Sequence, residues 1–264
     1  MKILKNPWKA EFLKHISDCD DSIRITTPFI KDDICREMLS AKKESVLLEL
    51  VTSLKLMNAY SGVLDLSALR RIINGNGSVK NYPKLHSKIY LFDNKKVIIT
   101  SGNMTKGGME RNFEYGIYTE EHEIINKVLN DFESLKENEN TGTIRIEEID
   151  TLKNILDKIP ASQRITIPNI QELTPEENSD IIEVPHEILS SSLKGWTKEV
   201  FKCILAIPNQ KFDLNEINEF EPVLRSIYPG NMHISAKIRQ QLQQLRDIGL
   251  IEFLGSGRYK KLWR

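Results

Sequence analysis

The chain has 264 residues, 40% apolar and 28% charged, ordinary for a globular protein and enough for one large domain or two modest ones. Its 37 basic and 37 acidic side chains cancel, so net charge names no partner. No N-terminal run is apolar enough for a signal peptide and none later reaches membrane length, which predicts a cytoplasmic protein without a membrane partner.

The first part alternates helical and strand patterns, as an α/β domain does. Residues 8–17 read as a helix, with Phe12 and Ile16 on one face, and residues 22–27 as a β-branched run stopped by Pro28. An amphipathic helix over 31–43 precedes a nearly continuous apolar strand over 45–54, suited to a buried central position. Residues 65–73 are helical and end at Asn74-Gly75-Asn76-Gly77. Strands over 84–92 and 96–101 join at Asp93-Asn94, and a strand over 112–119 precedes a helix over 123–135.

The character changes after Glu137. A helix is predicted over 147–158, and prolines then recur at 160, 168, 175 and 185 among acidic residues. Residues 143–194 hold ten acidic and five basic side chains, which suggests an extended acidic connector that keeps clear of nucleic acid. Beyond it, helices are predicted over 197–206, over 215–226 (with an irregular Pro222) and over 235–248, where Ser235 caps and Ile238, Leu242 and Leu245 share a face. A hairpin follows around Gly255-Ser256-Gly257, so the order describes a winged helix-turn-helix. The division expected is 1–160, a linker 161–194, and 195–264, the last carrying eleven basic and seven acidic side chains.

The stretch Leu85-His86-Ser87-Lys88-Ile89-Tyr90-Leu91-Phe92-Asp93, followed by Thr100-Ser101-Gly102-Asn103, carries the chemistry. Strand periodicity puts His86, Lys88 and Tyr90 on one face, Ser101 and Asn103 on one face of the next strand, and Asn112 and Glu114 on one face of a third. A neutral imidazole can attack phosphorus and split a difficult hydrolysis into two easier displacements. Lys88 and Asn103 suit the charge that builds on the non-bridging oxygens, and Ser101 can orient the imidazole or the phosphate. A carboxylate such as Glu114 on the second imidazole nitrogen would set the tautomer. The cysteines (Cys19, Cys35, Cys203) and five histidines are scattered, so no metal site, cofactor or disulfide frame is expected.

These residues resemble the HKD motif of the phospholipase D superfamily: His86, Lys88, Asp93, then Thr100, Ser101 and Asn103, with Thr100 replacing the first glycine of G-S-x-N. Asn112-Phe113-Glu114 is similar to that family's N-x-E. The resemblance implies an α/β fold with a mixed sheet flanked by helices, catalysis without a metal, and Asp93 supporting a turn. It also implies two histidines per active site. The chain holds one H-x-K, so a homodimer sharing one active site, with His86 from each subunit, is expected.

The tail resembles the C-terminal winged-helix domain of DpnI-like and Dam-replacing restriction enzymes, through Trp196-Thr197, Phe212-Asp213-Leu214, residues 228–233, residues 237–247, and Gly249, Phe253, Gly255, Gly257 and Tyr259. Arginine and glutamine read base edges by paired hydrogen bonds, so His233, Arg239, Gln240 and Gln243 are base-contact candidates and Lys237 a phosphate contact. Arg258, Lys260 and Lys261 are candidates for the wing's grip on the backbone. The first domain resembles the BfiI-type restriction enzymes within the phospholipase D superfamily, and its combination with the tail implies a metal-independent type II endonuclease acting on double-stranded DNA, with sensitivity to adenine methylation as a hypothesis. Two other readings stay open: a phospholipase D-like phosphodiesterase on a non-DNA substrate, and a catalytically inactive DNA-binding regulator.

Overall fold

In the computed structural model, which describes residues 1–159 and 184–263, eight strands hydrogen-bond into one sheet. They are β1 (Lys2–Lys5), β2 (Ser22–Thr26), β3 (Leu47–Thr52), β4 (Ser78–Asn81), β5 (Ile89–Phe92), β6 (Lys96–Thr100), β7 (Tyr115–Thr119) and β8 (Gly142–Thr143), in the order β1-β7-β6-β5-β2-β3-β4-β8. β2, β3 and β4 run parallel and all other pairings are antiparallel. The chain packs as two units, residues 1–54 with 62–146 and residues 55–61 with the described part of 147–264.

In the first unit the helices are α1 (Lys9–Asp18), α2 (Asp32–Ala41), α4 (Leu66–Asn74) and α5 (His122–Glu137), while α3 (Leu56–Tyr60) groups with the second. Alternation along β5 decides the layering. Tyr90 and Phe92 meet Phe12 of α1, with ring centroids 5.4 and 6.2 Å away. Leu91 points the other way and packs with Val97 and Ile125 of α5. The sheet is thus covered on both faces, which is why β3 reads as an apolar run.

β5 begins at Ile89, not near Lys84 as the periodicity predicts, and β7 begins at Tyr115 rather than Asn112. The residues in front of both strands carry the candidate polar groups, and their backbones turn away from the ladder. β1, β4 and β8 are additional strands: each is four residues or fewer, too short to register as periodicity.

The second unit contains α6 (Ile146–Lys158) from Glu147 onward, α7 (His186–Ser192), α8 (Gly195–Ala206), β9 (Lys211–Asp213), α9 (Leu214–Asn218), α10 (Glu221–Ile227), α11 (Ile234–Asp247), β10 (Ile251–Gly255) and β11 (Arg258–Lys261). A small antiparallel sheet runs β10-β11-β9, so the wing hairpin carries a third strand. α6 belongs here, although the sequence grouped it with the first domain; Lys158 Nζ donates to Ser191 Oγ at 3.1 Å.

The expected connector 161–194 lies mostly outside the described residues, but its end is not extended: Leu189 of α7 and the flanking Val184 and Leu193 are buried, an apolar spacing that acidic composition obscures. The helix predicted over 215–226 is two helices. Asp213 and Glu216 form a capping box on α9, and Pro222 sits in the first turn of α10, where a missing N–H costs nothing. Ser235 is not the cap of α11. That position falls to His233, and the Ser235 hydroxyl instead donates to Glu221.

Candidate active site and nucleic-acid interface

His86 stands exposed in the segment leading into β5, its Nε2 3.4 Å from Lys88 Nζ. Lys88 itself is buried, at 5% exposure, and its carbonyl accepts from the Thr100 amide at 3.1 Å, which ties the segment to the end of β6. An ammonium has no lone pair, so this contact has Lys88 donating to Nε2, and the imidazole proton belongs on Nδ1. Next door, Ser87 Oγ donates to Thr26 Oγ1 at 3.0 Å.

Ser101 and Glu114 form a second cluster. Ser101 Oγ donates to Glu114 Oε2, Asn112 Nδ2 donates to Oε1 at 3.3 Å, and the Tyr115 amide donates to Ser101 Oγ at 3.1 Å. Glu114 is buried to 7% exposure. Within one chain no hydrogen bond joins Glu114 to His86 among the described residues; Ser101 and Asn112 are the side chains that donate to it.

Asn103 is almost fully buried, and its Oδ1 accepts from Thr27 Oγ1 at 3.2 Å. Gly108 packs so closely on the Asn103 backbone that a Cβ there would collide with it. Three contacts from the N-terminal segment hold this turn: Trp8 N to Met109 O at 3.0 Å, Trp8 Nε1 to Gly108 O at 2.9 Å, and Asn6 Nδ2 to Asn112 O at 2.7 Å. Asn6, Trp8 and Thr27 were missed from sequence, since each acts over more than seventy positions and none lies in a motif. Asp93 touches no site group. Its carboxylate accepts from the amides of Asp20, Asp21 and Ser22 at 2.8 to 3.3 Å and anchors the β5–β6 turn, where Asp93 and Asn94 both have positive φ.

In the second unit α10 and α11 flank the turn at 228–231. Ile234, Ile238, Leu242 and Leu245 bury one face of α11; Arg239, Gln240 and Gln243 are exposed on the other, with His233 exposed at its start. Lys237 Nζ donates to Gln240 Oε1 at 2.6 Å, so these two groups are already paired with each other. Arg258 is exposed at the wing, and Lys260 stands opposite Glu252 on β10 and Lys211 on β9. Lys261 is corrected: it is buried, its Nζ donates to the Ile207 carbonyl, and burial lowers its pKa. It faces the core because its register places it beside Ile251.

Comparison with known families follows this division. Residues 12–136 match the family described as "Cardiolipin synthase, PLD-like domain", and residues 192–261 match the "Dam-replacing HTH domain". Among solved structures, Nuc from Salmonella typhimurium, a phospholipase D family member, is 20% identical, with 55% of this chain and 97% of Nuc covered and a TM-score of 0.47. NucT from Helicobacter pylori is 17% identical, with 52% and 94% covered and a TM-score of 0.39. Two different family models thus cover separate parts of the chain. The first is a PLD-like domain and the second a Dam-replacing-type helix-turn-helix. Among the described residues no group of His, Cys, Asp and Glu is arranged to hold a metal, and no helix is long and apolar enough to cross a membrane.

Proposed function

We propose that this protein is a type II restriction endonuclease that hydrolyses double-stranded DNA through a covalent phosphohistidine on His86. The observation that carries the reading is the exposed His86 imidazole, held with its Nε2 lone pair toward Lys88, in a chain that also bears a helix-turn-helix with an exposed Arg/Gln face. An arriving phosphate takes over Lys88 as its counter-charge and frees Nε2 to attack phosphorus. As the P–O bond to the leaving strand breaks, an acid must protonate that oxygen. The chain's single H-x-K leaves this to His86 of a second copy, so the active species is a homodimer with one shared centre. The same second imidazole then takes a proton from water, whose oxygen attacks the phosphohistidine and releases phosphate-ended DNA and free His86. Asn103 and Lys88 hold the non-bridging oxygens, while the Ser101 hydroxyl, whose one proton goes to Glu114, braces the site beside them.

Base contacts fall to His233, Arg239, Gln240 and Gln243, and backbone contacts to Lys237, Arg258 and Lys260. Digestion of plasmid in excess EDTA is the direct test. Cutting persists in EDTA and disappears in His86→Ala; loss in EDTA, or cutting by the variant, refutes the mechanism. Matched methylated and unmethylated plasmids, with the ends sequenced, decide whether adenine methylation directs recognition.

A further inference from the structure

Phe113 is the most exposed large apolar side chain in the described residues, at 90%, and it lies between Asn112 and Glu114 of the candidate site. Its exposure is not that of a loose loop. The Asn112 amide donates to Gly107 O at 2.9 Å, the Asn112 carbonyl accepts from Asn6 Nδ2 and from the Glu114 amide, and the Tyr115 amide donates to Ser101. A backbone tied on both sides therefore holds an aromatic ring out in solvent, beside the carboxylate that accepts from Ser101.

The neighbouring surface is aromatic and cationic. Tyr115 is 47% exposed, and register pairs it with Lys5, whose Nζ lies 5.2 Å from the ring centroid. Arg111 is exposed immediately before Asn112. Neither Lys5 nor Arg111 has a carboxylate partner among the described residues. Two occupants suit an exposed aromatic: a second copy of the chain, or a base. A two-fold contact would set this cationic patch against its own image, whereas a nucleic-acid strand brings the opposite charge and a π-face.

We infer that Phe113 and Tyr115, with Lys5 and Arg111, form a stacking platform for an unpaired nucleotide of the strand being cut, so that the scissile phosphate reaches His86 with a neighbouring base unstacked from the duplex. This deepens the DNA-cleaving reading and rests on it for the identity of the strand.

The test uses the full chain carrying His86→Ala, which cannot turn over, and a short single-stranded oligonucleotide containing 2-aminopurine. Binding quenches the fluorophore. Adding Phe113→Ala abolishes the quench and weakens binding roughly ten- to a hundred-fold, while Phe113→Trp retains both. Lys5→Gln with Arg111→Gln lowers the salt dependence of binding by about 1.4 logarithmic units per decade. Unchanged quenching in Phe113→Ala overturns the platform. So does dissociation of that variant into smaller species on sedimentation, which assigns Phe113 to a contact between copies. Phe113-dependent quenching by a protein that cuts no DNA under any condition upholds the platform and refutes only the endonuclease reading.

Discussion

In the proposed mechanism the reaction at His86 turns on which ring nitrogen carries the proton, and Lys88 is the group in hydrogen-bond reach of Nε2. In the proposed mechanism Glu114 acts one step removed, by bracing Ser101 and Asn112, so its removal disturbs the site's geometry without removing the nucleophile. Glu114→Ala is expected to lower kcat on plasmid about a hundred-fold with little change in KM, because a small misplacement of the groups around the reacting centre costs on this scale. Steady-state kinetics on the folded variant check it; an unchanged kcat removes Glu114 from the site. His15 offers a second residue-scale prediction. It is buried between Phe92 and Tyr118, neither ring nitrogen has a hydrogen-bond partner, and burial, reinforced by the charge of Lys96, lowers its pKa from the ordinary 6.5. A depressed histidine favours the neutral form in the folded state, so its contribution is intact above about pH 6.5 and is lost as pH falls from there toward the folded pKa. Denaturation midpoints measured from pH 7.5 to 5 should fall less in His15→Phe than in the wild-type chain, and parallel curves would refute this.

The elements that position the site were read from sequence with uneven success. The helices and the longer strands follow apolar periodicity, and the motif residues converge because β5, β6 and β7 are sequential neighbours in the sheet. What sequence could not supply was contact over long separations. Nothing local marks Trp8 as the clamp on Gly108, or Thr27 as the partner of Asn103. The wing lysines show the same limit: Lys260 and Lys261 are chemically identical neighbours, and only register makes the second a core residue. The turn between β5 and β6 yields an element-scale prediction. Burial alone would raise the Asp93 pKa, but the amides of Asp20, Ser22 and Asp21 together outweigh it and hold the carboxyl below its usual 3.8. The stabilisation is therefore present above that value and is lost as pH falls through the folded pKa. Asp93→Asn keeps the residue's tolerance of positive φ and removes the charge. It is expected to cost about 1–2 kcal/mol at pH 7, with the cost vanishing under acid conditions, as urea unfolding would measure.

For the molecule as a whole, a single H-x-K in each chain turns a motif into a statement about stoichiometry. The proposed shared centre would act on one strand at a time, so a supercoiled plasmid should pass through a nicked circle before becoming linear. A time course on agarose checks this, and linear product arising without a nicked precursor would mean two independent centres. Sedimentation at assay concentration supplies the other half, since an active monomer is incompatible with a divided site.

The N-terminal clamp has a further consequence for how the protein comes into being. Trp8 and Gly108 are 100 residues apart, and Asn6 and Asn112 are 106 apart, so their contacts close a very long loop and are entropically late. β1 likewise waits for β7, which follows it by more than a hundred positions. The turn bearing Asn103 and the Ser101–Glu114 pair is therefore locked only when segments far apart in sequence have met. The local geometry around Asn103 and Glu114 is thus a product of the finished fold, held by residues about a hundred positions away in the chain.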